Sequence, residues 1–297
     1  MQYYICTVKK TYKVKKSLIA LTLSSLFALS ASAQKGKVSS TSIGSGPYLR
    51  VGVGFAFPHA GNTYGDETTL PGTTSYELQK YSYGAGLNTA VGFGYWFTEN
   101  LGFELAANIG VAPKKYEAVS TYAEPGVVYT ATDTWTKYAK TPIYLMPSAM
   151  IKTGGTEFNI YARLGLAINI AGKTITEFER DNKASVLFVK EEYRYRTGIG
   201  FQGAMGMSVV AGKNVSLFAE VNGISMNQYV KKSEVTEFAV NGVDILSSVP
   251  VADKQYEYEM NFTDVTPANP KNPTQLPAYA EPFSNIGFAA GIIIYLK

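Results

Sequence analysis

Arg50, Glu104, Arg163 and Glu220 are the residues whose chemistry is hardest to reconcile with their neighbours, because each interrupts a run of apolar residues alternating with small ones. Two guanidinium and two carboxylate groups in such company must pair, since losing one partner of a buried ion pair costs about 3 to 5 kcal/mol. Brought to one depth, they would form either a structural plug or a gated proton or ion path. Catalytic candidates are fewer. His59 is the single histidine, with Asp66 and Glu67 nearby in sequence. A serine hydrolase or palmitoyl-transfer site needs a histidine base oriented by an acid beside a serine, and no second member of that constellation is identifiable. One histidine and scattered carboxylates give no metal-ligand spacing. The expectation is no catalytic residue, no cofactor and no metal, with His59 a solvated loop residue and the four charges a structural cluster.

The elements that position those charges are strands, because the apolar residues recur with period two. Leu49, Val51, Val53, Phe55 and Phe57 share one face of a first strand. Residues 81 to 97 place Tyr81, Tyr83, Ala85, Leu87, Val91, Phe93, Tyr95 and Phe97 on one face, with Gly, Ser, Ala and Asn on the other. The same pattern covers 101–111, 158–170, 195–209, 215–221 and 286–296. Residues 138 to 151 complete a set of eight strands, although Pro142 and Pro147 weaken that ladder. Counted from the short turns, Arg50, Glu104, Arg163 and Glu220 then fall within a few residues of one depth, on strands one, three, five and seven. Arg194 and Arg196 are expected at the wet outer mouth.

The connections alternate between short (98–100, 152–157, 211–214) and long (58–80, 112–136, 171–193, 224–284). That is the plan of an up-and-down barrel of the bacterial outer membrane, with both termini on the periplasmic, short-turn side. The start of the chain agrees. Lys9, Lys10, Lys13, Lys15 and Lys16 precede the apolar run from Leu18 to Leu29, which ends at Ala31-Ser32-Ala33. This order of basic, apolar and small residues predicts a signal peptide over 1–33, cleaved before Gln34. Residues 34–45 read as a flexible periplasmic lead, and 46–297 as the barrel. The chain's 27 Lys and Arg include the five early lysines, so 22 remain against 23 Asp and Glu. The basic balance belongs to the export signal, and nucleic acid is not an expected partner. With Cys6 in the signal, the mature chain has no cysteine and no disulfide.

A soluble barrel would turn apolar residues inward and cover its outside with Lys, Glu and Asp. Here the face opposite the apolar one is mainly Gly, Ala, Ser and Asn, which suits a tightly curved interior. Tyr81, Tyr83, Tyr95, Phe97, Tyr193, Tyr195 and Tyr295 stand near strand ends, as interfacial girdles require. The long outer loop, 225–284, exceeds what closing the sheet needs. Glu234 to Val249 reads as a hairpin turning at Asn241-Gly242, followed by an extended proline-rich return through Pro267, Pro270, Pro273, Pro277 and Pro282.

These segments resemble the outer-membrane β-barrel domain family, in the eight-stranded OmpX and OmpA-barrel class. The segment Thr141-Pro142-Ile143-Tyr144-Leu145-Met146-Pro147, then Gly154-Gly155 and the Tyr161 to Gly165 spacing, is most similar to the PorT-like branch. Such barrels often end in an aromatic read by the barrel-assembly machinery; here it is Tyr295, two residues from the end. The expected fold is therefore an all-β, eight-stranded antiparallel up-and-down transmembrane barrel in the outer membrane of a Gram-negative cell. The expected function is non-enzymatic, structural or interactional, through long extracellular loops. Expected partners are outer-membrane lipid, the barrel-assembly machinery and an extracellular or envelope protein. An accessory role in secretion or envelope assembly, as the resemblance implies, and a small channel are the alternatives.

Overall fold

The computed structural model describes residues 45–59, 63–70, 73–123, 130–263 and 269–296. The expected signal peptide, 1–33, and the expected lead, 34–45, lie outside them except for Ser45. In chain order the strands are β1 (Gly46–Pro58), β2 (Thr63–Leu70), β3 (Thr73–Lys80), β4 (Gly86–Trp96), β5 (Leu101–Pro113), β6 (Tyr116–Ala123), β7 (Thr130–Lys152), β8 (Phe158–Asp181) and β9 (Val186–Tyr195). They continue as β10 (Ile199–Gly212), β11 (Val215–Ser225), β12 (Asn227–Val240), β13 (Val243–Asp244), β14 (Gln255–Glu259), β15 (Thr274–Pro277), β16 (Ala280–Pro282) and β17 (Asn285–Tyr295). Eight of them close an antiparallel barrel in the order β1, β4, β5, β7, β8, β10, β11, β17 and back to β1. Closure pairs the backbone groups that an open sheet edge would leave free, which is the condition for strands to cross hydrocarbon.

The alternation read from the sequence sorts the two faces of this wall. In β1, Leu49, Val51, Val53, Phe55 and Phe57 point outward and are 37% to 62% exposed, while Arg50, Gly52, Gly54 and Ala56 point inward and are buried. Phe93, Phe103, Leu164, Phe201, Met205, Val221 and Phe288 continue the exposed apolar belt around the barrel. Each such side chain gains roughly 1.5 to 3 kcal/mol when taken from water into an apolar phase. A continuous belt of them is a surface for a bilayer rather than for water. The barrel is membrane-spanning.

β7 holds both prolines without leaving the wall. Register shifts between Lys140 and Tyr144, with Thr141 at φ 47°, form a bulge around Pro142. Pro147 sits opposite Leu105, and the β7–β8 ladder skips the rungs between Leu145 and Ser148, so the missing N–H leaves no broken bond.

The long connections are mostly strands, where loops were expected. β7 and β8 run on for 23 and 24 residues, and β9 and β12 extend the sheet beside them. β6 pairs with β7, and the β2–β3 hairpin adds to β6 in parallel. Their polarity hid them. Beyond the belt, strands need no apolar face, and β-branched residues such as Thr132, Thr134, Thr136, Thr174 and Thr176 still favour extended backbone. Ion pairs lace this outer sheet, with Arg180 clamping Asp133 at 2.8 Å and Lys190 meeting Glu237 at 2.9 Å.

The expected hairpin keeps its turn and loses its length. Asn241 and Gly242 have φ of 49° and 77°, as a type I′ turn demands, yet β12 and β13 share only the rungs at Ala239 and Val240. β12 pairs chiefly with β9, so this segment joins the outer sheet and not the barrel wall. The proline-rich return is likewise structured where it is described. β15 lies parallel to β14, and β16 pairs with β12; Pro267 lies outside the described residues.

Three further expectations change. The second strand starts at Gly86, whose φ of +121° ends the 81–85 turn, so Tyr81 and Tyr83 are 4% and 2% exposed and belong to the interior. Tyr193 and Tyr195 face the concave side ahead of a break at 196–198, and Tyr295 packs against Tyr48. Of the expected girdle, Tyr95 and Phe97 remain outside. Arg194 is exposed, and Arg196, within the break, donates to the Tyr258 carbonyl at 2.6 Å.

Candidate functional site

The barrel brings Arg50 on β1, Glu104 on β5, Arg163 on β8 and Glu220 on β11 into one cluster, all nearly inaccessible. Arg50 grips Glu104 with two donors, Nη2 to Oε1 at 2.7 Å and Nε to Oε2 at 2.9 Å, and reaches Glu220 with Nη1 at 3.3 Å. Arg163 donates from Nη1 to Glu104 at 3.0 Å and from Nη2 to Glu220 at 2.6 Å. Each carboxylate thus faces both arginines. The strands between them supply room. At Gly94 a Cβ would lie 2.1 Å from the Tyr48 ring, and at Gly206 it would lie 2.7 Å from the Glu220 Cβ. The small residues of the inward face are what let four long charged side chains meet across a narrow barrel.

Two residues complete the cluster that the sequence reading passed over. The Tyr48 hydroxyl donates to Glu104 Oε2 at 3.1 Å, and the Tyr161 hydroxyl to Glu220 Oε2 at 2.7 Å. The signal was present, because Tyr-x-Arg occurs at 48–50 and again at 161–163, and period two puts both members on the inward face. Phe218 lies under the Arg50 guanidinium, 5.1 Å from its centre. Arginine does not deprotonate in proteins, and the carboxylate oxygens are already engaged. Chemically the arrangement is a charge-balanced tie across the lumen, with no nucleophile in it.

Above this tie a cavity of about 30 Å³, room for about one water, separates it from an aromatic lid. Tyr81, Tyr83, Tyr116, Tyr195 and Phe283 pack together there, with ring centres 5.1 to 5.8 Å apart. Phe283 is delivered by a strap, residues 280–284. Phe283 N–H donates to the Met226 carbonyl at 3.0 Å, and Tyr83 N–H to the Pro282 carbonyl at 3.0 Å. Glu281 on the strap accepts from the Tyr81 hydroxyl at 2.6 Å. Burial pushes its carboxyl above the ordinary value, against the opposing pull of that hydroxyl and of Lys137.

His59 is exposed at the end of β1, and its backbone N–H donates to the Ser284 carbonyl at 3.3 Å. Asp66 is occupied by the Val119 N–H at 2.8 Å. Among the described residues no group of three or more His, Cys, Asp and Glu is arranged to hold a metal ion.

The fold and its filled interior define the class: an all-β, closed, eight-stranded, membrane-spanning barrel with an outer sheet rising from one rim. No known family description and no curated protein matches the chain. Among solved structures, the outer membrane protein OprG from Pseudomonas aeruginosa is similar, with a TM-score of 0.42 and 12% identity over 85% of this chain and 97% of that one.

Proposed function

We propose that this chain is a non-enzymatic protein of the bacterial outer membrane whose outer sheet, including the segment 225–284, is an interaction surface for an extracellular or envelope protein. The observation that carries this reading is the division of surface chemistry along the strands. The apolar belt ends where the Thr-, Lys- and Glu-rich outer sheet begins, and nothing in barrel closure requires that sheet. Lipid around the belt and the barrel-assembly machinery during insertion are the partners such a wall implies; the near-neutral mature charge offers nothing to nucleic acid. The test is photocrosslinking in intact cells from a reactive residue placed at the exposed Lys232. Discrete adducts that vanish when residues 243–278 are deleted, with the strap retained, are expected. Unchanged adducts in the deletion variant reject the surface.

A second reading is an accessory component of secretion or envelope assembly, favoured by the likeness of Thr141 to Pro147 to PorT-like barrels. Loss of secreted proteins from a deletion strain would support it. A small channel is opposed by the paired charges and the aromatic lid, and planar bilayers are expected to show no conductance.

A further inference from the structure

Above the lid, the curved outer sheet encloses a cup of about 400 Å³, within the usual range for a small-molecule site. Its wall is aromatic. Tyr83, Trp135, Tyr193 and Tyr279 line it, and Trp135 and Tyr279 are left 38% and 39% exposed although they stand beyond the lipid belt. Between the rings the lining is polar and mixed in sign, with Glu67, Ser120, Lys137, Thr176 and Glu281 all contributing. Trp135 and Phe178, opposite each other on β7 and β8, pack at 4.2 Å between ring centres, which fixes the Trp135 plane. Tyr258 does the same for Tyr279, edge to face at 5.4 Å.

The occupant follows from this lining. An aliphatic chain would strip water from Lys137, Thr176 and Glu281 without replacing their hydrogen bonds, which is costly. An organic cation suits aromatic walls but is repelled by the Lys137 ammonium and finds Glu281 already engaged by the Tyr81 hydroxyl and by Lys137, while an anion meets both Glu67 and Glu281. A molecule without net charge, with apolar faces and a rim of hydroxyls, meets none of these penalties. Pyranose rings have that character: their C–H faces lie against fixed aromatic planes, while adjacent hydroxyls both donate and accept. Lysine supplies donors, a carboxylate supplies acceptors, and threonine supplies both. We propose that this cup is a binding site for a neutral saccharide of a few rings. The inference rests on the outer sheet facing the cell exterior, as argued above.

The test uses the folded full-length barrel in an alkyl polyoxyethylene detergent, which carries neither a sugar nor a choline headgroup. The chain has two tryptophans, and they are separated by accessibility, because Trp96 is 4% exposed in the lumen and Trp135 opens into the cup. Acrylamide quenching therefore reports on Trp135. Maltose, cellobiose, lactose, mannobiose and diacetylchitobiose are titrated, with tetramethylammonium, acetate and zwitterionic glycine as charged controls. The expected result is saturable protection by at least one disaccharide, weakened tenfold or more by Tyr279→Ala and by Thr176→Val while the heat-shifted gel mobility of the barrel is kept. Protection by none of the five, protection by the charged controls instead, or affinity unchanged in both variants overturns the proposal. Labelling of Tyr279→Cys on intact cells by an impermeant maleimide is a separate readout. Its failure would reject the outward orientation and leave the measured sugar affinity standing.

Discussion

Arg163 touches both acids of the cluster, so its removal leaves two buried carboxylates to share Arg50. Arg163→Met is expected to cost about 3 to 5 kcal/mol, read from urea titrations in lipid vesicles. Arg163→Met combined with Glu220→Gln should cost clearly less than the sum of the two single changes, because the second substitution neutralises a charge that the first left buried. Additive costs would show that Glu220 draws its support from Arg50 and Tyr161 alone. The tyrosines make a smaller, separable contribution. Tyr161→Phe removes one hydrogen bond to an ionised acceptor and should cost about 1.5 to 3 kcal/mol, whereas Tyr95→Phe, outside the barrel, should cost almost nothing in the same assay.

At the scale of elements, β8 divides into a lipid-facing half and a polar half, and the two halves tolerate different changes. Leu164 is 70% exposed midway along the belt, so Leu164→Arg should destabilise the folded barrel by about 2 to 4 kcal/mol. The same substitution at exposed Glu179, in the outer part of β8, should be nearly neutral. The strap 280–284 responds to pH instead. Its Glu281 carboxyl is held above the ordinary carboxylate value by burial, so the docked strap binds a proton more tightly than a released one. Docking is therefore strongest below the ordinary carboxylate pKa and weakens as pH rises through the raised, docked value. Amide exchange at Tyr83 and Phe283, corrected for the intrinsic rate, should slow on acidification, and Glu281→Gln should abolish the trend. Protection that does not vary with pH in the parent protein would show that Glu281 stays ionised on docking.

At the scale of the molecule, the barrel closes without the outer sheet, since all eight wall pairings lie within the strands of the ring. The outer sheet should therefore be open to attack while the wall resists. Trypsin added to intact cells is expected to cut at Lys271, in the exposed turn between Asn269 and Asn272, and to leave a barrel that still shifts mobility on heating. Loss of the heat shift after that single cut would make the return segment part of the wall's stability.

The wall and its inward charges were legible in the sequence because both depend on one local rule. Successive side chains on a strand point to opposite faces, so Leu49, Val51 and Val53 fix where Arg50 must point, and turn lengths fix its depth. Three things were not local. The polar strands beyond the belt have no apolar face to betray them, since what holds β6, β9 and β12 is pairing with distant segments. The inward turn of Tyr81 and Tyr83 depends on Gly86 breaking a pattern that otherwise reads as continuous. The lid and cup depend on the return of residues 279 to 283, some 200 positions along the chain from Tyr81, to meet it at the barrel mouth. The sequence by itself determined the closed wall, its membrane-facing belt and the four charges that tie it, because period-two geometry acts residue by residue. Only the tertiary structure decided what caps the barrel and what the outer strands enclose, because those surfaces are made by contacts between segments whose separation in sequence carries no periodic trace.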